Sequence, residues 1–424
     1  MKEELPPLDP VVERLAEDLM KVPAVKEGIA IALREADDAM KEEVEITEVP
    51  STTFHEEVRA KEIARRMRLY GLTDVTIDEI GNVVGKRPGK GGGPVLALGA
   101  HMDTAFAEGT PVKVRREGNR YFGPGIGDNG SGLRALLQTI RCMNEAGIET
   151  GGDVWFVGTV GEEGNGDIRG SKFLFREGLA SPIDGFIAVD NTDVGRILKG
   201  AIGAHRWRYT IKGPGGHSYA SFGKVPSAVH AMCLAGARVA RLRVPEEPKT
   251  TFTIGTVRGG STVNSIAAEC SADVDMRSLG NDELLRLEAA IHAAFEAGVE
   301  EENRIWGAGG TDAALTLEKT PIGNRPGGMR PDDCPVLQAS RAAQKALRIP
   351  MTKYTCSSTD ANMPVSLGIP ATCLSAGGVQ MKTHTLDEYF DCVDIHLGPQ
   401  LILLTVLILA GTAGRKPLLP KRNP

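Results

Sequence analysis

The chain has 424 residues, of which 41% are hydrophobic and 25% are charged, and its formal net charge is −6. This length usually gives two domains, and the composition is that of a globular protein. Because the basic residues form no long cluster, nucleic acid is not expected as a partner. The seven cysteines are scattered and odd in number, which favours free thiols in the cytoplasm over a disulfide framework.

The apolar and terminal segments predict no association with a membrane. Residues 401–410 form the most apolar run, and they are too few to span a bilayer. The acidic N-terminal residues lack the apolar segment of a secretory signal. We therefore expect a cytoplasmic protein whose last helix is buried.

The pattern before residue 200 is that of an α/β fold. Apolar residues at helical spacing predict amphipathic helices over residues 11–41 and 54–70. Short apolar strands then alternate with helices and glycine-rich loops, at residues 95–98, 154–160 and 186–189. Continuous apolar strands of this kind are typical of a mixed sheet with helices on both faces.

The pattern changes near residue 200 to that of a smaller α+β unit. Its predicted elements are strands at residues 206–212, 251–256 and 268–278 and helices at 227–242 and 282–299. After about residue 319 the first pattern returns, with a helix at 335–347 and a strand at 371–374. We therefore predict an α/β domain of residues 1–199 and 319–424, interrupted by an inserted α+β domain of residues 200–318.

Histidine and acidic side chains follow the predicted strands, beginning with His101 and Asp103. These two residues lie on the same face if the strand continues, and a carboxylate there can fix the ring orientation of a metal-bound imidazole. Asp128 lies in a glycine-rich run before a helix. A helix cap would explain this aspartate, but not the glycines on both sides of it, which indicate a closely packed backbone.

Glu162 and Glu163 come directly after the strand at 154–160. Two adjacent carboxylates are costly at the end of a buried strand unless a cation accepts them, although a solvated surface pair is the alternative. One could bind a metal while the other takes a proton from water. Asp190 ends the next apolar strand, and His384 follows far downstream.

Together these side chains form a mixed histidine and carboxylate set at strand ends, where open α/β sheets place their sites. The set suits Zn²⁺, with Mn²⁺ or Co²⁺ as alternatives. Two histidines and three carboxylates are too many ligands for one catalytic zinc. Two ions that share a bridging carboxylate, about 3.5–4 Å apart, fit the set better.

The ordered set resembles the M20 family of metallopeptidases from about residue 45 onward. The elements that match are the H-x-D pair His101 and Asp103, the bridging aspartate Asp128, the pair Glu162 and Glu163, and the last two ligands Asp190 and His384. In the inserted segment, the lid or dimerisation domain of the family is matched by a GxxGHS-like turn with His217, a VNxVP-like element with Asn264, and a D-x-R element with Arg277. Ala267 replaces the usual proline of the second of these elements.

The resemblance implies a role for each of these residues. The implied ligands are His101 and Asp190 for one metal, Glu163 and His384 for the other, and Asp128 as the bridge. Asp103 would orient His101, and Glu162 would be the general base that takes a proton from a metal-activated water. His217, from the lid of a partner subunit, would stabilise the oxyanion with help from Asn264. Arg277 would bind a substrate carboxylate, or form a salt bridge within the lid.

Two departures from the family pattern bear on the substrate. The turn at residues 129–132 lacks the lysine that is typical of the deacylase and desuccinylase branches, and Asp190 is an aspartate where those branches carry glutamate. Both favour an aminopeptidase or dipeptidase that resembles peptidase T and acts on small peptides, as a homodimer through the inserted domain. The alternatives are an N-acyl amino acid deacylase or desuccinylase of the same family and a catalytically inactive metal-binding protein. The GxxGHS-like turn argues against an aminopeptidase family that has no lid.

Overall fold

A computed structural model describes residues 7–412 and 414–422, and these residues form two units. The first unit contains the described residues up to Ala201 and from Met329 onward, and the second contains residues Ile202–Gly328. The chain therefore leaves the first unit once and returns to it once. The sequence placed the return at residue 319, but a strand at Thr316–Arg325 pairs along its length with Gly203–Lys212 of the second unit. Residues 319–328 therefore stay with the second unit.

The helices lie in both units and are numbered in chain order. They are α1 (Pro10–Leu19), α2 (Pro23–Arg34), α3 (Ala36–Thr47), α4 (Glu57–Leu69), α5 (Ser131–Glu145), α6 (Arg169–Leu174), α7 (Ala228–Val239), α8 (Asn281–Ile305), α9 (Pro335–Ala346), α10 (Asn362–Ser366) and α11 (Leu397–Ala410). The predicted N-terminal helical region is three helices because prolines begin two of them. Pro10 and Pro23 each occupy the first turn, where a missing N–H costs nothing.

The strands are numbered in the same way. They are β1 (Thr73–Ile77), β2 (Val83–Arg87), β3 (Val95–His101), β4 (Arg115–Glu117), β5 (Arg120–Phe122), β6 (Asp153–Thr159), β7 (Gly185–Val189), β8 (Arg196–Ala201), β9 (Gly203–Lys212), β10 (Gly216–His217), β11 (Thr250–Gly259), β12 (Ser265–Ile266), β13 (Glu269–Ser278), β14 (Thr316–Arg325), β15 (Gly328–Met329), β16 (Lys353–Ser357), β17 (Ala371–Leu374), β18 (Val379–Met381) and β19 (Tyr389–Asp391).

A six-stranded mixed sheet forms the centre of the first unit, in the order β1-β2-β6-β3-β7-β17. Strands β6, β3, β7 and β17 are parallel, whereas β1 and β2 are antiparallel to their neighbours. Leu96 and Leu98 of β3 belong to one apolar core, and Ala97 between them belongs to another. Because successive strand residues point to opposite faces, helices cover both faces of the sheet, as the sequence predicted.

Helix α11 forms part of the larger of these two cores. Every residue from Gly398 to Ala410 in it is buried, which explains why the run at residues 401–410 is apolar on all sides. Among the described residues, no helix combines the length and apolar character that a membrane span requires.

The second unit is an antiparallel sheet with two helices packed against it. Its strand order is β11-β13-β9-β14, and alternate residues of β13 are buried. Helices α7 and α8 contribute Met232, Ile291 and Phe295 to the core that covers this face. A separate two-stranded ribbon pairs β10 with β12.

A buried ion pair joins the N-terminal helices to the first unit's core. The Nε of Arg134 on α5 donates to a carboxylate oxygen of Glu43 on α3 at 2.7 Å, and both side chains are fully buried. Other nitrogens of Arg134 donate to the backbone carbonyls of Ala376 and Ile395 at 2.7 and 3.1 Å. Helix α3 therefore supplies the counter-charge for an arginine that holds two distant loops.

We predict that Glu43→Gln lowers the free energy of unfolding by about 3 kcal/mol, because it leaves the guanidinium of Arg134 buried without a counter-charge. Urea denaturation at pH 8 measures this loss, since burial raises the pKa of Glu43 to about 7 and the carboxylate is ionised there. Asp38→Asn is the control, because its ion pair with Lys41 is exposed. Equal denaturation midpoints for Glu43→Gln and the native chain would show that the pair does not stabilise the fold.

Candidate metal centre

Three adjacent parallel strands bring their carboxyl ends to one edge of the central sheet. The strands are β6, β3 and β7 in that order. His101 is the last residue of β3, Glu162 and Glu163 follow β6, and Asp190 follows β7. The sequence spacing predicted this grouping, and parallel pairing produces it because such strands end on the same side.

Asp128 lies between the two predicted ligand histidines. One carboxylate oxygen is 3.0 Å from Nε2 of His101, and the other is 3.2 Å from Nε2 of His384. The imidazoles of residues 283 positions apart in sequence therefore face opposite oxygens of one carboxylate. This is the geometry that a bridging ligand requires.

Glu163 extends the same group towards His384. Its Oε1 atom is 2.9 Å from Nε2 of His384, and one potential ligand atom each from His101, Asp128 and Glu163 lie within 4.8 Å of one another. Glu162 is also buried, but no ligand atom of Glu162 belongs to this group among the described residues. The side chain of Glu163 therefore lies with the ligand atoms of His101 and Asp128, whereas that of Glu162 does not.

Asp103 connects the first histidine to the glutamate pair. The Nδ1 atom of His101 is 3.1 Å from the backbone carbonyl oxygen of Asp103, which can only accept, so Nδ1 carries the hydrogen. The carboxylate of Asp103 accepts hydrogen bonds from the backbone N–H groups of Glu162 and Glu163 at 2.9 and 3.0 Å, and from the hydroxyl of Thr53 at 2.8 Å. Asp103 therefore fixes both the ring of His101 and the turn at Glu162.

Asp190 lies among the same charges, although it is outside the group of three ligand atoms. Burial and then the nearby carboxylates of Asp128 and Glu163 raise its pKa to about 7, against the opposing effect of His101. Its backbone N–H donates to the carbonyl oxygen of Leu374 at 3.0 Å. A partly buried carboxyl group close to other carboxylates is an environment that a cation stabilises.

The two histidines have strongly raised pKa values in the absence of a cation. Burial disfavours the charged form of His101, but hydrogen bonds to Asp103 and Asp128 outweigh it and hold its pKa well above the usual value. Hydrogen bonds to Asp128 and Glu163 raise the pKa of His384 to about 10. His384 is half exposed, so the centre opens to solvent on this side.

Glu388 is a residue that the sequence analysis missed. Its buried carboxylate accepts hydrogen bonds from the backbone N–H groups of Gly125, Gly127 and Asp128 at 3.0, 3.0 and 3.1 Å. It therefore holds the turn that presents Asp128. The sequence gives one signal for Glu388, which is that it follows His384 at the spacing of one helical turn. This signal is misleading, because the segment is not helical.

The glycines around Asp128 are required by close packing. A Cβ atom on Gly127 would lie 2.6 Å from Cβ of Gln380, and one on Gly132 would lie 2.4 Å from the carbonyl oxygen of Val189. Gly125 has a φ of 79°, which favours glycine. The turn cannot accept larger residues at these positions without moving its neighbours.

The second unit places His217 beside Asn264. The backbone N–H of Ser218 donates to the carbonyl oxygen of Asn264 at 3.0 Å, and β10 pairs with β12 at His217 and Ser265. The Nδ1 atom of His217 accepts from the N–H groups of Tyr219 and Ala220 at 3.2 and 3.4 Å. Nδ1 therefore serves as the acceptor of this ring and Nε2 as its donor, and Nε2 contacts no acceptor among the described residues.

Arg277 does not share a site with His217 inside this unit. Its Nε donates to a carboxylate oxygen of Asp275 at 2.8 Å, which is the salt bridge considered from the sequence. The ribbon with His217 adjoins the start of β13, since Gly213 donates to the carbonyl of Ala268 at 2.8 Å. Arg277 is near the other end of this ten-residue strand, a separation of about 30 Å at the usual rise per residue.

The chemistry of the donor atoms fits divalent cations. Neutral imidazole nitrogens and carboxylate oxygens, without cysteine, suit zinc and related ions. Asp128 contacts His101 and His384, and His384 also contacts Glu163. Asp190 adds a carboxyl group to their environment. Divalent cations held by these side chains would balance this concentration of negative charge.

Comparisons with known proteins agree with this architecture. The sequence pattern of Peptidase family M20/M25/M40 matches residues 97–407. The uncharacterized protein YqjE of Bacillus subtilis is 27% identical over 359 residues, which is 81% of this chain and 91% of that protein. A tripeptidase from Staphylococcus aureus superposes with a TM-score of 0.73 at 24% identity, and aminopeptidase PepT from Bacillus cereus with 0.69 at 23% identity. Each structure covers 88% of this chain and 98% of its own.

We predict that Glu388→Ala weakens metal binding by about 10- to 100-fold, because three N–H groups of the turn lose their acceptor and Asp128 is no longer held in place. Competition with a chromophoric chelator measures the affinity, and thermal denaturation reports whether the variant is folded. Asp387→Ala is the matched control, since the neighbouring side chain is 81% exposed. Unchanged affinity in a folded Glu388→Ala protein would contradict the supporting role.

Proposed function

Since this chain belongs to the peptidase family M20/M25/M40 and is a hydrolase of that family, we propose that it is a two-metal peptidase that cleaves small peptides. The observation that carries the proposal is the carboxylate of Asp128, which faces His101 with one oxygen and His384 with the other. A site for a single cation has no need of this arrangement. Zinc is the proposed metal, with manganese or cobalt as alternatives.

The proposed ligands divide into two sets around Asp128. His101 and Asp190 would hold one cation, and Glu163 and His384 the other. The contact between Glu163 and His384 at 2.9 Å supports the second set. For the first set, the support is the pKa of Asp190, which desolvation and the nearby carboxylate of Asp128 raise and the nearby ring of His101 lowers.

The metals, when bound, polarise the scissile carbonyl and lower the pKa of the attacking water towards about 7. The proposed general base is Glu162, which accepts a proton from this water and later donates it to the leaving amine. Its backbone is held by the hydrogen bond to Asp103. This contact fixes the position of the base relative to its metal-binding neighbour Glu163.

His217 is the proposed oxyanion donor, and we place it in the lid of a partner subunit. The support for its chemistry is the neutral ring whose Nε2–H is free, since backbone N–H groups occupy Nδ1. Asn264 adjoins it and is proposed to assist. A homodimer through the second unit is supported by β11, an edge strand that exposes most of its residues.

The proposed substrates are di- and tripeptides with a free amino terminus. Two proteins that share the fold are named as a tripeptidase and an aminopeptidase, and the aspartate at position 190 is typical of the aminopeptidase and dipeptidase branch. The free cysteines support a cytoplasmic location. A metal-supplemented assay of free and N-acetylated di- and tripeptides tests the proposal. Exclusive turnover of the acetylated peptides would instead identify a deacylase, and no turnover of either would identify a binding protein.

We predict that Glu162→Gln keeps its metal content but lowers kcat by about 10²- to 10⁴-fold, because only proton transfer is lost. Its neighbour provides the matched comparison: Glu163→Gln should lose metal affinity first. Metal analysis and steady-state kinetics on both variants separate the two roles. Full activity in Glu162→Gln would remove it as the base.

We predict that metal uptake by the metal-free protein at pH 7 releases roughly two to three protons, because ligands must be deprotonated to bind. Hydrogen bonds to carboxylates hold the pKa of His101 well above its usual value and raise that of His384 to about 10, so both rings carry protons at pH 7, and Asp190 with a pKa of about 7 is partly protonated. Raising the pH removes these competing protons, so the apparent metal affinity should increase from pH 6 to pH 8. Calorimetry in buffers of different ionisation enthalpy counts the protons. An affinity that decreases over this range would contradict the ligand assignment.

A further inference from the structure

The edge of the central sheet opposite the metal centre carries a cavity of about 420 Å³. Its walls are the loop before β3, the loop before β6 and the segment that follows α11, all of them in the first unit. We call it the amino-edge cavity. Val95 begins β3 and His101 ends it, a separation of about 20 Å at the usual rise per residue, and none of the proposed metal ligands is among the lining residues. The volume is in the range of small-molecule sites.

Backbone hydrogen bonds between glycine-rich loops form the floor of the amino-edge cavity. The N–H group of Lys90 donates to the carbonyl oxygen of Thr150 at 2.9 Å, and those of Gly91 and Gly93 both donate to the carbonyl oxygen of Gly151, at 2.9 and 3.2 Å. A Cβ atom on Gly91 would lie 3.1 Å from this same oxygen, so the loops approach each other closely. Because these carbonyl oxygens already have backbone donors, it is the side chains around the floor that decide which ligand the cavity can bind.

The side chains that line the amino-edge cavity carry a net positive charge. The bases are Lys90, Arg415 and Lys416, and the one acid is Glu149, so three positive charges and one negative charge leave a formal charge of +2. Glu149 forms its ion pair with Lys90. Arg415 and Lys416 form no ion pair with any residue that the structure describes. In a chain whose formal net charge is −6, this local excess of positive charge attracts anions.

Two threonine hydroxyls at the amino-edge cavity lack hydrogen-bond partners. Thr150 and Thr412 face each other in an antiparallel β-bridge, so their side chains lie on the same face, and both residues line the cavity. Thr150 is 2% exposed, and neither Oγ1 atom has a partner among the described residues. A buried hydroxyl without a partner costs about 1–3 kcal/mol. Rotation about the Cα–Cβ bond, between staggered positions, turns each hydroxyl towards a ligand in the cavity.

We propose that the amino-edge cavity binds the phosphate group of a small phosphorylated molecule. A phosphate monoester carries a charge of about −1.5 to −2 at pH 7 and three strong acceptor oxygens. These match the formal charge of the cavity and the donors of Arg415, Lys416, Thr150 and Thr412. A carboxylate has one charge and two oxygens, and it would leave part of this donor set unused. The inference goes beyond the proposed peptidase function and does not rest on it, because the cavity shares no lining residue with the metal centre.

Phenyl phosphate is the probe, and calorimetric titration of the metal-loaded protein measures its affinity. Arg415→Met and Lys416→Met should each weaken binding by about 10- to 100-fold, because each removes a charge-assisted hydrogen bond. Lys61→Met is the matched control, since Lys61 is exposed on α4 and does not line the cavity, and it should keep the affinity within twofold. Benzoate should bind the native protein at least 10-fold more weakly than phenyl phosphate. Native affinity for phenyl phosphate in both Arg415→Met and Lys416→Met would overturn the inference, and so would equal affinities for benzoate and phenyl phosphate.

Thr150→Val distinguishes a hydroxyl that serves a ligand from one that serves the fold. The variant keeps the branched shape and removes the hydroxyl, so it should weaken binding of phenyl phosphate by about 3- to 10-fold. Its melting temperature should stay the same or rise, because the hydroxyl has no partner in the folded protein. Thr372→Val is the control, since that hydroxyl does have a partner, the carbonyl oxygen of Leu198 at 2.8 Å, and it should keep the affinity. A lower melting temperature of Thr150→Val with unchanged affinity would overturn the site as proposed.

Hydrogen exchange followed by mass spectrometry locates the bound probe. Phenyl phosphate should slow amide exchange in the loops before β3 and β6 and in the segment after α11, which together line the cavity. Slower exchange confined to the segments of Asp128 and His384 would place the anion at the metal centre and overturn the inference. Neither measurement requires turnover, so a protein that hydrolyses no peptide still tests the cavity. A failure of the proposed function is therefore distinguishable from a failure of this inference.

Discussion

The sharing of the Asp128 carboxylate between two imidazoles is the interaction on which the rest of the centre depends. Asp128, Glu163 and Asp190 bring several negative charges into a mostly buried space. Without a cation, the protein balances them by holding His101 and His384 in their charged forms and by raising the pKa of Asp190. Cations that bind at this group of side chains would displace these protons and neutralise the same carboxylates.

The segments that carry these charges must be held rigidly in place. Other acidic side chains hold them by accepting hydrogen bonds from their backbone N–H groups. Asp103 accepts from the N–H groups of Glu162 and Glu163, and Glu388 accepts from the turn at Asp128. Arg134 acts in the opposite sense, because it donates hydrogen bonds to backbone carbonyl groups of the loops around Ala376 and Ile395. Each of these groups fixes main chain and leaves the ligand side chains free to face the centre. This explains why buried charged residues that are not ligands lie around the ligand residues.

The sequence predicted the parts of the centre that local pattern determines. Strand ends are visible as apolar runs followed by polar residues, so His101, Glu163 and Asp190 could be grouped before any coordinates were known. Glu388 could not, because its role depends on which backbone N–H groups fold against it, and nothing in the neighbouring residues of the sequence indicates this. The boundary at residue 319 failed for a similar reason. Strand β14 has alternating polar residues and a proline, and only its pairing with β9 identifies it as a strand of the second unit.

Several residues beside the site have a strained backbone. Phe54, Asn191 and His384 are non-glycine residues with φ values of 75°, 83° and 64°, in a region that costs on the order of 1–3 kcal/mol for each such residue. Each adjoins a group of the centre: Phe54 follows Thr53, which donates to Asp103, and Asn191 follows Asp190. The extensive buried core under the sheet and the Arg134–Glu43 pair hold the surrounding elements in place. The ring of His384 faces Asp128 at 3.2 Å, and a relaxed backbone at this residue would turn the ring away, so the strain there is the consequence of assembling one charged site from five distant segments of the chain.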